Sequence, residues 1–237
     1  LTSTKASMLP FVLLVLELIA GEGASAASAE ISQRSLSQRE PLPLSERQTR
    51  NSGNNEVDID IASCHGIRLV SRKQWDAELP IAVEVIDVVV EIVLYHHTEE
   101  DECFSIGDCS RIVRRWQEYH QKTKGWNDIG YTFLIGGDGA VYEGRGFGSV
   151  GAHTLGYNNK SVSFGFIGNF THHAPSEEML TTAENLIDCG IKLGKIRANY
   201  TLHGQRDANR RDCPGEAFYE RIKKSWRFGD RLTPYFD

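Results

Sequence analysis

The sequence lacks an excess of basic residues, and it lacks an apolar run long enough to cross a bilayer. Its 237 residues carry 26 Lys and Arg against 32 Asp and Glu, which gives a formal net charge of −6 at pH 7. Proteins that bind nucleic acid concentrate positive charge on one surface, so this balance argues against a nucleic-acid partner. The apolar stretch at 8–20 is interrupted by Glu17 and falls short of the roughly 20 residues that a membrane-spanning helix needs.

The N-terminal stretch has the layout of a secretory signal peptide. Lys5 precedes the apolar stretch, and two Ala-Ser-Ala triplets ending at Ala26 and Ala29 follow it as cleavage sites. A membrane anchor is the weaker alternative, because the apolar stretch is short. We therefore expect residues 1–29 to be a signal peptide, the mature protein to be secreted and extracellular, and no membrane span to remain after cleavage.

Large apolar residues are scarce between this signal peptide and Cys64. Ser, Arg, Glu, Gln and Asn dominate the stretch, so it cannot bury enough apolar surface to offset the entropy of ordering. We predict a disordered linker at 30–62, one globular domain at 63–228 and a C-terminal tail at 229–237. The predicted domain is long enough to bury a core, and the sequence contains no internal repeat.

Beyond Cys64, a long strand and an amphipathic helix are predicted first. Val88–Tyr95 is nearly continuous apolar and β-branched, which is typical of a strand covered on both faces, and this strand ends at His96. Cys109–Thr123 places several apolar or ring side chains at helical spacing, with His120 near the end of the helix. These side chains are Ile112, Val113, Trp116, Tyr119 and His120.

The rest of the domain predicts a hairpin, another strand and two helices. The hairpin comprises 129–135 and 140–143, the strand is 161–168, and the helices are 176–193 and Pro214 to about Ser225. Ser176 is the predicted N-cap of the longer helix, and Gly194 lies just beyond its end. Strands interleaved with helices predict an α/β sheet with helices packed on it.

Five cysteines and three glycosylation triplets agree with an extracellular protein. Two disulfides would leave one thiol over, and sequence alone allows fifteen such pairings. Cys103 and Cys109 bracket a short polar loop before the first helix, which favours a local disulfide between them. A Cys64–Cys189 disulfide would tie the start of the domain to its long helix and leave Cys213 as the free thiol. The N-x-S/T sequons are at Asn159, Asn169 and Asn199.

Several histidines lie at predicted strand ends, helix ends and loops, where a scaffold presents functional groups. They are His96, His97, His120, His153 and His203. The motifs around them resemble the peptidoglycan recognition protein family, which is similar to phage amidase-type lysozymes and zinc-dependent N-acetylmuramoyl-L-alanine amidases. These motifs are "LYHHT" at 94–98, "GWNDIGYTFLIGGDGAVYEGRGF" at 125–147, "GAHT" at 151–154 and "RDCPG" at 211–215.

The resemblance covers about Cys64 to Arg227, and it implies both a fold and a binding groove. The implied fold is α/β, an amidase-2-like single domain with a central, mostly parallel sheet flanked by about three helices. The implied groove on one face holds the muramyl stem peptide of bacterial peptidoglycan.

Active members of the resembled family hold a catalytic zinc with two histidines and a cysteine. The metal keeps a fourth position for water, whose lowered pKa supplies the hydroxide that attacks the amide carbonyl. Matching the motifs places His96 at the first histidine and Cys213 at the cysteine. Tyr131 takes the position of the tyrosine that assists the tetrahedral intermediate, a catalytic role only if the protein is an amidase.

The sequence departs from this pattern at the second histidine, where an ungapped match from "RDCPG" backwards places Gln205. A primary amide is a poor zinc ligand, so we expect zinc to be absent or weakly bound. Arg211 also replaces the Thr or Lys that is usual in active relatives. His203 shares a strand face with position 205 but lies about 6.5 Å away along the strand, so its use as the missing ligand would need a bulge or a register slip.

The resemblance also implies ligand contacts that do not depend on metal. These map to His97, Thr98, His120, Tyr131, His153 and Asn158. In this family, Gly-Trp before the "DIGY" motif with a downstream Arg suits meso-diaminopimelic acid, whereas Asn-Phe or Asn-Tyr suits lysine. Gly125, Trp126 and Arg145 match the first set, and an arginine can hold the extra carboxylate of diaminopimelate in a bidentate pair.

Three functions are compatible with these residues. The favoured one is a secreted, non-catalytic innate-immune sensor of diaminopimelate-type peptidoglycan, with a homodimer or downstream immune signalling proteins as candidate further partners. The main alternative is a zinc-dependent N-acetylmuramoyl-L-alanine amidase. A cysteine hydrolase with Cys213 as nucleophile and His96 as base is disfavoured, because Cys213 directly precedes Pro214 at a position that resembles a metal ligand.

Overall fold

The computed structural model describes Ile61 and residues 64–237. The signal peptide predicted at 1–29 and nearly all of the linker predicted at 30–62 lie outside these residues. Within the described part of the chain, no helix combines the length and the apolar character that a bilayer crossing requires.

A six-stranded sheet forms the centre of the fold. Its strands are β1 (Leu69–Val70), β2 (Val90–His97), β3 (Phe133–Ile135), β4 (Val141–Glu143), β5 (Ser161–Phe166) and β6 (Ile196–Gly204). They lie in the order β1-β4-β3-β5-β2-β6, and every neighbouring pair is parallel except the antiparallel β3–β4 hairpin. The predicted α/β class with a mostly parallel central sheet is therefore confirmed.

Strand β2 lies between β5 and β6, as its apolar sequence requires. It begins later and ends later than predicted: Val88 and Val89 are 56% and 42% exposed and precede the strand, while His97 still pairs with Phe166. Strand β2 starts at Val90 because the N–H of Val90 is the first in this stretch to donate a hydrogen bond to the loop before β6, at Lys195 O.

Three α-helices flank the sheet, as predicted, with shifted ends. They are α1 (Ile106–Glu118), which continues into one π-helical turn at Tyr119–Thr123, α2 (Glu177–Lys192) and α3 (Glu216–Ile222). The prediction placed the start of α1 too late, since Ser105 caps it by accepting a hydrogen bond from Asp108 N. Tyr119 is 39% exposed and not on the buried side as expected.

The ends of α2 agree with the sequence signals, whereas those of α3 do not. The Ser176 side chain accepts a hydrogen bond from Met179 N, and Gly194 follows α2 with a φ of +65°, which favours glycine. Helix α3 is shorter than predicted at both ends, because Gly215 is its N-cap and leaves Pro214 outside the first turn.

The remaining differences concern short or polar strands. The first hairpin strand starts only at Phe133, since the preceding residues turn away to form the functional site described below. Strand β1 has two residues, and β6 has three exposed residues near its start, Arg197, Ala198 and Asn199. Neither shows an apolar run, so periodicity gave no signal for them.

Two apolar clusters cover the two faces of the sheet. Residues of β3 alternate between them, since Phe133 and Ile135 join α2 and α3 while Leu134 joins α1. The α2 side contains stacked rings, including Tyr95 with its centroid 5.7 Å from that of Phe218. The packing of helices on both faces buries β2 from Val93 to His97, whereas Glu91 near its start is exposed.

Both favoured disulfides are present in the structure. Cys64 is bonded to Cys189 of α2, and Cys103 is bonded to Cys109 of α1. Cys213 is a buried free thiol.

The two disulfides should stabilise the domain to different extents. The Cys64–Cys189 bond closes a loop of sequence separation 125 and the Cys103–Cys109 bond one of 6. On the loop-entropy relation, replacing both members of the first pair by Ala should lower the free energy of unfolding by about 5 kcal/mol, and the second pair by about 2 kcal/mol. Urea titration of the two double variants tests this order, and equal losses would contradict it.

Candidate functional site

The carboxyl end of β2 places two histidines on opposite faces of the sheet. The ring of His96 faces Tyr131 and His153, with centroid distances of 5.6 and 5.5 Å. The ring of His97 points to the other face, where its Nδ1 accepts a hydrogen bond from Phe170 N at 3.3 Å and its Nε2 lies 3.2 Å from Glu99 Oε1. Only His96 therefore faces the other residues of the site.

Thr98, the next predicted contact residue, is buried beside His97. Its hydroxyl accepts a hydrogen bond from Gly168 N at 3.0 Å, and its own N–H donates to Phe166 O. Thr98 and His97 thus fasten the end of β2 to the segment after β5, and neither lines the main cleft described below.

His96 and Cys213 lie at a separation that suits two ligands of one metal ion. Cys213 Sγ is 3.6 Å from His96 Nδ1 and accepts a hydrogen bond from His97 N at 3.4 Å. Tetrahedral zinc with bonds of about 2.1 Å to nitrogen and about 2.3 Å to sulfur would separate these atoms by about 3.6 Å.

Burial makes this pair neutral in the structure. It lowers the pKa of His96 to about 3, an effect that the adjacent Gln205 side chain partly opposes, and it raises the pKa of Cys213 to about 12. A cysteine nucleophile needs a populated thiolate, so the environment of Cys213 argues against the cysteine-hydrolase alternative.

The third donor needed for catalytic zinc is replaced next to His96 by the amide side chain of Gln205. Gln205 begins a short 3₁₀ turn after β6, and its Nε2 donates a hydrogen bond to His153 O at 3.1 Å. Within residues 64–237, no three His, Cys, Asp or Glu side chains are arranged to hold a metal ion. An amide in place of imidazole leaves a donor set that does not fit a catalytic zinc.

His203 is bonded elsewhere and is not available as the third ligand. It pairs with Leu94 inside the sheet, and the strand ends at Gly204 without the bulge that a substitution would need. Its Nδ1 lies 2.8 Å from Asp230 O and its Nε2 lies 2.8 Å from Thr201 Oγ1. Both ring nitrogens are therefore already hydrogen-bonded.

A cleft of about 460 Å³ opens beside His96 and Cys213. Of the predicted site residues, Trp126, His153 and Asn158 line it, together with Gln205 and Arg211. The sequence reasoning missed Lys124, Asn209 and Arg210, which also line the cleft. The signal available for the last two was the polar run Asn209–Asp212 between two elements, which no apolar pattern explains.

An aromatic wall on one side of the cleft contains His120 and Trp126. Their rings stack at 4.6 Å and 20°, and His120 Nδ1 accepts a hydrogen bond from Gly130 N at 3.1 Å. The π-helical turn after α1 places His120 there, and Gly125 turns the chain with a φ of +70°. Tyr131 is buried beneath, with its ring 5.9 Å from that of His120.

Arg145 lies next to this wall in a smaller cavity of about 80 Å³, which it shares with Arg72 and Asp128. Its guanidinium donates to three backbone carbonyls, Ile129 O at 2.7 Å, Val150 O at 2.8 Å and Asp128 O at 3.2 Å. A guanidinium has five N–H groups, so two remain for a further acceptor.

A loop after β4 forms the opposite wall and is organised by Asn158. Its Oδ1 accepts hydrogen bonds from His153 N and Thr154 N, at 2.9 and 2.8 Å. Thr154 Oγ1 lies 3.0 Å from His153 Nδ1 and 3.3 Å from His96 Nε2. This polar chain leaves His153 Nε2 buried without a partner among the described residues.

The segment predicted as a C-terminal tail braces both the turn after β6 and the loop organised by Asn158. Phe236 N donates to Ala208 O at 2.9 Å, and Phe236 O accepts from Arg210 N at 3.1 Å. On the other wall, Tyr157 donates its hydroxyl hydrogen to Pro234 O at 2.6 Å and packs edge-on against Phe236. The tail is thus part of the site's framework.

Comparison with known proteins agrees with this architecture. The family described as N-acetylmuramoyl-L-alanine amidase matches residues 87–216. Peptidoglycan-recognition protein LB of Drosophila melanogaster is 43% identical over 160 residues, 67% of this chain and 68% of that protein. A human protein named N-acetylmuramoyl-L-alanine amidase is 39% identical over 154 residues, 64% of this chain and 27% of that protein.

Among solved structures, similarity extends to a ligand complex. The structure of peptidoglycan recognition protein-LE, described as being in complex with tracheal cytotoxin (monomeric diaminopimelic acid-type peptidoglycan), has a TM-score of 0.67 and 36% identity. The match covers 68% of this chain and 96% of that one.

The buried His120 should make stability depend on pH. Burial, followed by the charges of Arg145 and Lys124, lowers the pKa of His120 to about 4. As pH falls below about 6.5, the unfolded chain binds this proton while the folded chain does not, so the stability contribution is lost between about pH 6.5 and 4. We expect His120→Asn to reduce the loss of unfolding free energy between pH 7 and pH 4 by up to about 3 kcal/mol.

Chemical denaturation at several pH values measures this difference. His172→Asn, at an exposed histidine outside the cleft lining, is the matched control and should retain the native pH dependence. Parallel pH profiles for His120→Asn and the native protein would contradict the prediction.

Proposed function

The chain belongs to the peptidoglycan recognition protein family, and from that premise we propose that it binds the peptide stem of bacterial peptidoglycan without cleaving it. The stem would lie in the cleft between the aromatic wall and the loop held by Asn158. His153 and Asn209 support such a ligand, since each has a buried polar atom with no partner among the described residues. Hydrogen-bonding groups of a bound peptide would supply the partners that these two atoms lack.

Gln205 is the observation that carries the non-catalytic part of the proposal. Its carboxamide is bonded to the loop carbonyl of His153, where the family's chemistry requires a second imidazole. With no third ligand beside His96 and Cys213, the site would bind zinc weakly or not at all. Binding needs no metal, because the cleft walls come from other elements.

The diaminopimelate preference is supported by Arg145 and by the similarity to the protein solved with diaminopimelic acid-type peptidoglycan. Three carbonyls hold the guanidinium in place, and its two remaining N–H groups suit the carboxylate that distinguishes diaminopimelate from lysine. Gly125 would let the diaminopimelate residue approach closely, and Trp126 would cover it.

We propose further that the protein is secreted and acts in innate immunity. Its two disulfides support an oxidising compartment. Zinc-dependent amidase activity is the alternative, and similarity to the human protein named N-acetylmuramoyl-L-alanine amidase favours it. Zinc content and turnover decide between the two functions.

The first prediction concerns Gln205→His. The native protein should bind diaminopimelate-type muropeptide, contain no stoichiometric zinc and release no stem peptide. Gln205→His should gain about one zinc per chain, because it restores two histidines and a cysteine. Elemental analysis after dialysis measures the metal, and mass spectrometry of the muropeptide measures cleavage.

Gln205→Asn is the matched control, since it shortens the amide without adding a metal ligand. Stoichiometric zinc in the native protein, or stem peptide released by it, would establish the amidase alternative.

The second prediction changes the ligand and leaves the protein intact. Muropeptide with free diaminopimelate should bind at least about tenfold more tightly than the same muropeptide carrying an amide on the distal carboxylate, or carrying lysine. The reason is the loss of a charge-assisted bidentate pair with Arg145. Calorimetric titration of the three ligands measures the affinities, and equal values would refute the diaminopimelate preference.

A further inference from the structure

Three consecutive residues at one end of the cleft, Asn209, Arg210 and Arg211, have not been assigned to a particular group of the ligand so far. We call them the Asn209–Arg211 segment. They follow the 3₁₀ turn that begins at Gln205, and all three line the cleft.

The backbone of this segment is held in place. Asn209 forms a parallel β-bridge with Phe236, and Arg210 N donates to Phe236 O at 3.1 Å. The segment is therefore braced by the C-terminal tail, so its side chains project from a fixed base.

The two guanidinium groups are free for a ligand, in contrast to that of the nearby Arg206. Arg206 donates to Glu216 Oε2 and Asp212 O, both at 2.6 Å, and stacks over Tyr219. Arg210 and Arg211 are exposed, and neither side chain forms a hydrogen bond or an ion pair within residues 64–237. Free arginines at a cleft suit a planar anion.

Asn209 adds an acceptor next to these donors. The residue is only 8% exposed, lines the cleft, and its Oδ1 is buried without a partner among the described residues. A buried amide oxygen is costly unless an N–H reaches it. The segment thus offers a position for an anion and a position for an N–H side by side.

The charge of the cleft favours an anionic ligand. Its lining contains three cationic side chains, those of Lys124, Arg210 and Arg211, and one carboxylate side chain, that of Asp237. Arg145 is not part of this lining and belongs to the smaller cavity. A ligand group bound by the Asn209–Arg211 segment must therefore be separate from the carboxylate assigned to Arg145.

We propose that the Asn209–Arg211 segment is a subsite for an N-acylated α-amino acid with a free α-carboxylate. Arg210 and Arg211 bind the carboxylate, and Asn209 Oδ1 accepts the N–H carried by the same α-carbon. The inference rests on the proposed function, because a peptidoglycan stem contains this group in its γ-linked glutamate. The C-terminal residue of the stem is the second source of the same group.

Calorimetric titration of the full chain with three muramyl tripeptides tests the subsite. All three end in diaminopimelate with its distal carboxylate free. One ligand has the glutamate α-carboxylate and the C-terminal carboxylate both free, one has the glutamate α-carboxylate amidated, and one has the C-terminal carboxylate amidated. The native protein should bind the glutamate amide about tenfold more weakly than the free ligand. If amidation of the C-terminal carboxylate lowers the affinity instead, the same subsite binds the C-terminal residue of the stem.

Substitutions test whether the Asn209–Arg211 segment causes this loss of affinity. The double substitution Arg210→Gln with Arg211→Gln should weaken the free ligand at least about tenfold and leave the glutamate amide unaffected. Asn209→Asp is nearly isosteric and keeps an acceptor for the N–H, but it should also weaken the free ligand, because it adds a negative charge beside the carboxylate that Arg210 and Arg211 bind. Arg231→Gln is the matched control, since the guanidinium of Arg231 stacks on Tyr235 outside the cleft lining and its loss should change neither affinity.

The outcomes separate the two proposals. If the native protein binds no muropeptide, the proposed function fails and the subsite fails with it. If it binds, but the double substitution weakens all three ligands equally, the subsite is wrong and the proposed function stands.

Discussion

The parallel pairing of β2 with β5 on one side and with β6 on the other is the constraint on which the site depends. Parallel neighbours bring their carboxyl ends to the same edge of the sheet, so the residues that follow β2, β5 and β6 meet there. That edge supplies His96 directly and Gln205 one residue after β6. Strand alternation then decides that His96 faces the cleft whereas His97 faces the opposite side.

Around this edge, the walls of the cleft are made mainly by loops and short helical turns. They are held by side-chain and backbone hydrogen bonds: Asn158 organises one loop, Arg145 ties three carbonyls together, and Phe236 connects the last segment to the turn after β6. Such bonds fix a binding surface without a thick apolar core beneath it. The same framework holds whether or not the third metal-ligand position is a histidine, which explains why Gln205 is compatible with an intact cleft.

The sequence predicts the elements whose buried residues recur periodically. It misses the features that depend on contacts with distant segments of the chain. Strand β2 and helices α1 and α2 have apolar patterns and cap residues that identify them. Strand β6 has none, because its edge position leaves the residues near its start exposed. The residues of the site were named through motif resemblance, but resemblance cannot show which atoms are already bonded. His203 with both nitrogens occupied, Arg145 with three carbonyls, and Asn209 with an unpaired oxygen became visible only when distant segments were placed together.

The conformation of Gly125 restricts what can stand at that position. Its φ of +70° is unfavourable for most side chains, yet a Cβ there would meet no atom within 4 Å. Backbone sterics, not space, set the limit, and apart from glycine, asparagine is among the few residues that tolerate this region. Glycine and asparagine are also the two residues that distinguish diaminopimelate-type from lysine-type sequences in the resembled family. An exchange between them keeps the turn unchanged, so the substitution at this position that accompanies a change of ligand preference does not require the loop to refold.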